Sequence, residues 1–419
     1  MPKQQRSKTP ARPPTRAARP ARARKQVASA NNGVYLVVPG RRSPIHLDLG
    51  SDPEEVERLA VKWSYSLRNR ERWVGRPELL ERHRNEITQV ATSAGLHGKV
   101  LAEVAAADLV EVSIPFHSEK SDWALRVMPW EYLIATATRH LRRGAMTVVR
   151  HLRTQSPRGR LHPPTAWLHI ESAIGGLREG YDFSPERDLV EQAARSAGVS
   201  VKERLCDPDR PALDAALKKV KTHEVVHVSG FDSHQGLQWL DDASAERVPD
   251  GLLVRARPAE VAEAWSIARH LTNGGRRPRL VAFNIYYSAA HSAPSCVALG
   301  AEAAIGFQDA FDDTLAELFF ATFYQAWRLA KWNTVAAFRH AWKTVRDQQQ
   351  ALHGTGIVLW SARSIRETLP GYWNQGVTLE TKEIDQLWDK AVQKNPLVLT
   401  PENIADYLEL DVQPLAALT

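Results

Sequence analysis

Two histidines four residues apart, in His223-Glu224-Val225-Val226-His227, spell the H-E-x-x-H string. On a helix that string presents two imidazoles to a zinc ion beside a general-base carboxylate. The chemistry depends on the helix, because only there do residues i and i+4 share a face, roughly 6 Å apart. Val-Val-His-Val-Ser-Gly is a poor helix and a good strand. Along a strand the two imidazoles would stand roughly 13 Å apart. A third ligand three residues past Gly230 would be Ser233, with His234 one residue late, and Met1, Met128 and Met146 all precede the string. The spacing argues against a zinc peptidase, and no Gly-rich phosphate loop is present. No metal or other cofactor is expected.

The second histidine opens one of two strand-like runs, His227–Phe231 and Leu280–Ser288. Each is rich in β-branched or aromatic residues and closes on small or polar ones, the pattern of buried strands in a parallel sheet. In such sheets the chemistry sits just past the carboxyl ends of the strands. Phe231, Asp232 and His234 follow the first run; Asn284, Tyr286, Tyr287, Ser288 and His291 close or follow the second. Ser288 with His234 or His291, oriented by a carboxylate such as Asp232, would make a hydrolase. The plainer account is that polar residues gather at loop tips because loops face water. His227 reads as an interior sheet residue whose ring is satisfied by backbone. Asp309, Asp312 and Asp313 precede a long helical pattern, where acidic residues cap and complement the helix dipole. Cys206 and Cys296 are the only cysteines, and both read as small hydrophobes rather than nucleophiles.

Elements to position these residues are legible along the chain. Val34–Val38 reads as an opening strand, residues 53–68 as a helix, 77–107 as a second helix, and Leu109–Ile114 and Val148–Arg150 as strands. After a Pro/Gly/Arg-rich link at 157–164, strands and helices alternate: Trp167–Ile170, helix 185–196, Val199–Leu205, helix 211–220, and Val225–Ser229. There follow helix 258–271, Leu280–Asn284, helix 293–299, Ala303–Phe307, helices 312–331 and 335–352, and Ile357–Trp360. Such alternation predicts a parallel sheet with helical crossovers.

The order resembles the CHAT family of caspase-like cysteine peptidases over some four-fifths of the chain. The likeness rests on Pro129-Trp130-Glu131 with Leu133, a following strand ending Val149-Arg150, and the two strand ends above. In the family the first strand ends His-x-x-Gly-His and the second Asn-Ala-Cys-x-Ser. Here the second His position holds Phe231 and the Cys position Tyr286. Phenyl accepts no proton, and a phenol with pKa near 10 is a poor nucleophile. The resemblance implies an α/β fold: a caspase/CHAT-like, mostly parallel sheet with helices on both faces, a smaller N-terminal α/β subdomain and a helical C-terminal tail. It also implies a pocket around His227, Asp232, Asn284, Tyr287 and Asp313. A D-x-x-A pattern, Asp313 to Ala316, flanks the substrate pocket in the family.

Composition sets the remaining bounds. At 419 residues, 43% hydrophobic and 25% charged, the chain is an ordinary globular one. The net charge of +7 belongs to residues 1–30, which hold nine Lys/Arg and no acidic residue; the remaining 46 basic residues face 48 acidic ones. That Pro-rich arm is expected to be disordered and to attract nucleic acid or another polyanion. No run is apolar enough to cross a membrane, no secretory leader is visible, and two cysteines suit a reducing cytoplasm. The expected organisation is a basic tail (1–31), an N-terminal CHAT-like segment (32–156), a caspase-like segment (165–364) and a helical extension (365–419). The expected function is a catalytically degenerate pseudoprotease, regulatory or scaffolding, working with a protein partner such as an active protease or other effector. The family's links suggest a bacterial defence or programmed-death setting. A hydrolase with a relocated nucleophile and an adaptor tethered to nucleic acid are the alternatives.

Overall fold

The computed structural model describes residues 33–369, apart from 51, 69–75, 117–122, 142–145, 155–161, 173–182, 197, 221–223, 240–247, 276, 310–312 and 349–355. The basic arm, His223, Asp312 and the C-terminal extension beyond residue 369 therefore lie outside the described residues. The first part of the chain runs β1 (Val34–Val37), β2 (Ile45–Leu47), α1 (Pro53–Arg68), α2 (Pro77–Ser93), α3 (Gly98–Ala106), β3 (Leu109–Pro115), α4 (Trp123–Val127), α5 (Trp130–Thr138) and β4 (Thr147–Arg153). Next come β5 (Ala166–Ser172), α6 (Ser184–Ser196), β6 (Ser200–Cys206), α7 (Arg210–Lys219), β7 (Glu224–Gly230), α8 (Ser233–Trp239), β8 (Gly251–Arg255), β9 (Glu260–Glu263) and α9 (Ala264–Thr272). The last elements are β10 (Leu280–Asn284), α10 (Ser292–Leu299), β11 (Ala303–Phe307), α11 (Asp313–Leu329), α12 (Thr334–Gln348), β12 (Ile357–Ser361) and α13 (Ile365–Thr368).

Ten strands form one sheet in the order β2-β1-β3-β4-β12-β11-β10-β7-β5-β6, and β8 and β9 form a separate hairpin. The fold is α/β with a mostly parallel sheet, as the alternation predicts. Strands β3, β4 and β12 run parallel to one another. So do β11, β10, β7, β5 and β6. The two blocks meet antiparallel at β11–β12, in register from Ala303↔Ser361 to Phe307↔Ile357.

Helices cover both faces. Alternate residues of β10 show why: Val281 and Phe283 join a core with α7, α9 and α10, while Leu280 and Ala282 join another with α6, α11 and α12. Buried on both faces, β10, β11 and β12 are enclosed along their whole length, which is why their sequences are near-continuous apolar runs rather than alternating ones.

Three local expectations change. The helix over 77–107 is two helices, because Gly95 (φ 99°) ends the first in a Schellman stop. The Leu96 amide reaches back to Ala91 O at 2.8 Å and the Gly95 amide to Thr92 O at 3.0 Å. The helix over 258–271 begins only at Ala264, because Glu260–Glu263 pairs with Gly251–Arg255. Gly251 is required there, since a Cβ would meet Ala262 O at 2.1 Å. A short helix, α8, follows β7 directly and was not anticipated. Its entry residue, Asp232, accepts the amides of His234 (3.1 Å) and Gln235 (3.2 Å), the usual work of an acidic N-cap.

Candidate functional site

The carboxyl ends of β7 and β10 lie side by side, with Asn284 paired to Ser229 in parallel register. Beyond them opens a cleft of ≈ 440 Å³ whose lining includes Asp232, His234, Asp250, Tyr287, His291 and Gln308. Its far wall comes from the first part of the chain, through Ser64 of α1 and Trp123 and Val127 of α4. Strand-end reasoning therefore brings Asp232, His234, Tyr287 and His291 to one place. It missed Asp250, which follows Pro249 at the entry to β8. It also missed Gln308, although that residue directly follows β11 and the strand-end rule extends to it.

Asp250 is the hub. Its Oδ1 lies 3.1 Å from His234 Nε2 and its Oδ2 3.4 Å from His291 Nε2, so one carboxylate spans both rings. Loss of bulk water lowers the pKa of His291; Asp250 opposes this, and Arg126 and His234 add to it. Asp232 is 6% exposed, and burial raises its pKa from 3.8 to about 6 against the two backbone donors that favour its charge. The Asp232 carboxyl thus holds its proton into the range where the usual carboxylate has lost it. Tyr287 lines the cleft with φ at 61°, a left-handed conformation unusual for so bulky a residue.

The floor is held by a buried charge pair. Arg150 of β4 is fully buried and grips Glu131 of α5 with two hydrogen bonds, Nε to Oε1 at 2.8 Å and Nη2 to Oε2. Its remaining donors reach Arg126 O (2.7 Å) and Gln308 Oε1 (2.7 Å). Gln308 in turn donates to Val127 O. The Glu of Pro-Trp-Glu and the Arg closing Val-Val-Arg, read from sequence only as a family signature, thus meet as an ion pair behind the cleft. A bidentate guanidinium–carboxylate contact with its other donors satisfied is the arrangement in which a buried pair is tolerated.

The degenerate dyad positions are occupied by packing and hydrogen bonding. Phe231 is buried in a small cluster with Phe183, Leu237 and Leu253, its ring centroid 5.7 Å from that of Phe183. Tyr286 packs against the larger core around α11 and donates its hydroxyl to Asp313 Oδ1 at 2.9 Å. Although their strands are neighbours, the two side chains belong to different hydrophobic clusters. Asp313, the first residue of α11, is thus a partner of Tyr286, and Asn284 is buried at the end of β10.

Ser288, the nucleophile of the relocated-site expectation, is 3% exposed and fully engaged. Its Oγ donates to Ile285 O at 2.7 Å and accepts the Phe307 amide at 3.1 Å. The structure does not pair it with His234 or His291, whose rings turn to Asp250. The hydroxyl instead pins the turn after β10 to the end of β11. Gly306 is required there, since a Cβ would meet Ser288 Oγ at 2.7 Å.

His227 corrects another expectation. It is buried on the opposite face of the sheet from the cleft, and side chains rather than backbone satisfy it: Tyr324 OH at 2.8 Å from Nδ1 and Glu186 Oε1 at 2.9 Å from Nε2. It is therefore not a pocket residue. Burial and the neighbouring Glu186 raise the pKa of Tyr324 well above the phenol range, so this hydroxyl stays protonated. Cys296 is core, as expected, and burial raises its thiol pKa far beyond the physiological range. Cys206 is exposed at the end of β6 rather than packed as a small hydrophobe, and partial desolvation and Glu171 raise its pKa. Neither thiol is activated. Among the described residues no three His, Cys, Asp or Glu side chains form a metal-binding group, and no helix is long and apolar enough to cross a membrane.

No protein-family model matches this sequence, and no curated protein matches it significantly.

Proposed function

We propose that the chain is a CHAT-like protein without its peptidase dyad, and that it works by holding a protein segment in the strand-end cleft rather than by cutting it. One observation carries this: both dyad positions are committed elsewhere, Phe231 to a hydrophobic cluster and Tyr286 to Asp313. A nucleophilic mechanism needs a thiolate or activated hydroxyl within about 3 Å of a base. The cysteines carry raised pKa values, and the Ser288 hydroxyl proton is given to a backbone carbonyl. What remains is a polar cleft with donors and acceptors of both charge types, suited to reading an extended peptide. The partner would be an active protease or another effector, and the family likeness suggests a bacterial defence or programmed-death setting.

Purified protein should leave a peptide-substrate library uncut. Peptidase inhibitors directed at thiols should label only Cys206, and Cys206→Ser should abolish that labelling. Turnover that survives purification and disappears in Ser288→Ala or His234→Ala would replace this reading with a relocated hydrolase.

A further inference from the structure

On the face of the sheet turned away from the cleft, two histidines lie side by side. His169 of β5 and His227 of β7 stand opposite one another in parallel register, their ring centroids 5.1 Å apart. Both are fully buried. His227 is well supplied with partners. The Tyr324 hydroxyl of α11 donates to its Nδ1, and its Nε2 donates to Glu186 Oε1 in the first turn of α6. His169 has none: both of its ring nitrogens are closed to solvent and without a partner among the described residues.

A charge on His169 would find no carboxylate free to meet it. Glu171, two residues further along β5, is bonded to Arg187 of α6 at 3.4 Å and lies 3.8 Å from the Cys206 sulfur of β6. Glu191 of α6 is gripped by Arg204, which stands opposite His169 on β6. Glu186 already holds His227. Burial pushes the His169 pKa well below the ordinary imidazole value of 6.5, and His227, Arg204 and Arg187 push it the same way. An enclosed imidazolium without a partner is far costlier than the neutral ring.

The helix that touches this pair also touches the cleft. At the entry to α6, Phe183 O accepts the Arg187 amide at 2.9 Å, one residue past Glu186. The Phe183 ring packs on Phe231, 5.7 Å between centroids, in the cluster that holds Leu237 of α8. α8 carries His234 and so forms part of the cleft wall.

We propose that His169 is an acid latch on α6: a proton taken up there releases the first turn of α6 from the sheet and draws Phe183 away from Phe231 and α8. In the closed form the ring stays neutral. In the opened form it meets water and binds a proton near pH 6.5. The latch is therefore fully stable above about pH 6.5 and weakens as pH falls below it, toward the lower pKa of the closed form. It works the same way whatever the cleft holds.

The test is amide hydrogen exchange of the full chain at pH 7.5 and pH 5, corrected for the intrinsic effect of pH on exchange. The extra proton bound by the opened form should lower the protection of residues 184–196 about tenfold or more. Residues 233–239 of α8 should follow, while α9, on the other face of the sheet, should lose far less. His169→Leu removes the titrating ring without breaking a hydrogen bond, and should keep α6 and α8 protected at pH 5. If that variant does not fold, the imidazole resonances of the parent decide the matter: His169 should stay neutral for as long as α6 stays protected. Full protection of α6 in the parent at pH 5, or an equal loss in parent and His169→Leu, would overturn the proposal. So would α8 staying closed while α6 opens, or a charged His169 ring beneath a protected α6.

Discussion

Asp232 shows how one side chain can serve both the fold and the cleft. It caps α8 through two backbone amides, yet burial raises its pKa from 3.8 to about 6. A carboxyl that holds its proton more tightly when folded favours the folded state at low pH. That advantage is lost as pH rises from about 4 through 6, leaving the ionised group as a net cost above 6. The difference of roughly two pKa units corresponds to about 3 kcal/mol. Asp232→Asn keeps an acceptor for the cap and removes the charge. It should therefore be more stable than the parent at pH 7.5 and nearly equal to it at pH 4, measured by urea denaturation across pH. Parallel stability curves for the two proteins would refute the assignment. The type and position of Asp232 were legible in the sequence from its place after a strand. Asp250 was not, because it reaches the cleft through a hairpin whose partner strand, Glu260–Glu263, reads as part of a helix.

Between elements, the junction of β10, its following turn and β11 decides what Ser288 is for. The spacing of Ser288 and His291 after a strand is what a hydrolase would show, and sequence cannot tell a hydroxyl aimed at solvent from one aimed at backbone. Here Ser288 Oγ bridges Ile285 O and the Phe307 amide, closing a turn that also uses Ala289 N to Phe307 O at 3.0 Å. Ser288→Ala would leave the buried Phe307 amide without its acceptor, a loss of about 1–3 kcal/mol. The variant should show a lower melting temperature with the cleft's binding properties retained once folded. An unchanged melting temperature would show that the hydroxyl is not holding the turn. The strands themselves were legible because burial on both faces leaves a continuous apolar run. The break at Gly95 and the β8–β9 hairpin were not, since a Schellman stop and a strand of only four residues leave little periodic signal.

Across the whole molecule, the seam between β11 and β12 governs how the chain can be divided. By sequence, the Pro-rich link at 157–164 separates two α/β segments, and each has helices and strands of its own. In space β12, made near the end of the described chain, lies between β4 of the first segment and β11 of the second. Arg150 of the first segment also donates to Gln308 of the second, and Glu111 of β3 accepts from the Ser364 hydroxyl (3.0 Å) and the Ile365 amide (2.6 Å) at α13. A fragment of residues 33–154 would expose the whole edge of β4, a strand buried along nearly all of its length, and exposed apolar edges invite aggregation. It would also leave Arg150 without Gln308 and Glu111 without its α13 donors. Expressed alone, this fragment should lack a cooperative thermal transition and aggregate. Co-expressed with residues 162–369, it should copurify as a complex that melts in a single transition, since β12 then completes the sheet. A fragment that stays monomeric and melts cooperatively by itself would show that the N-terminal strands carry an independent core and that the β4–β12 pairing only docks two finished units.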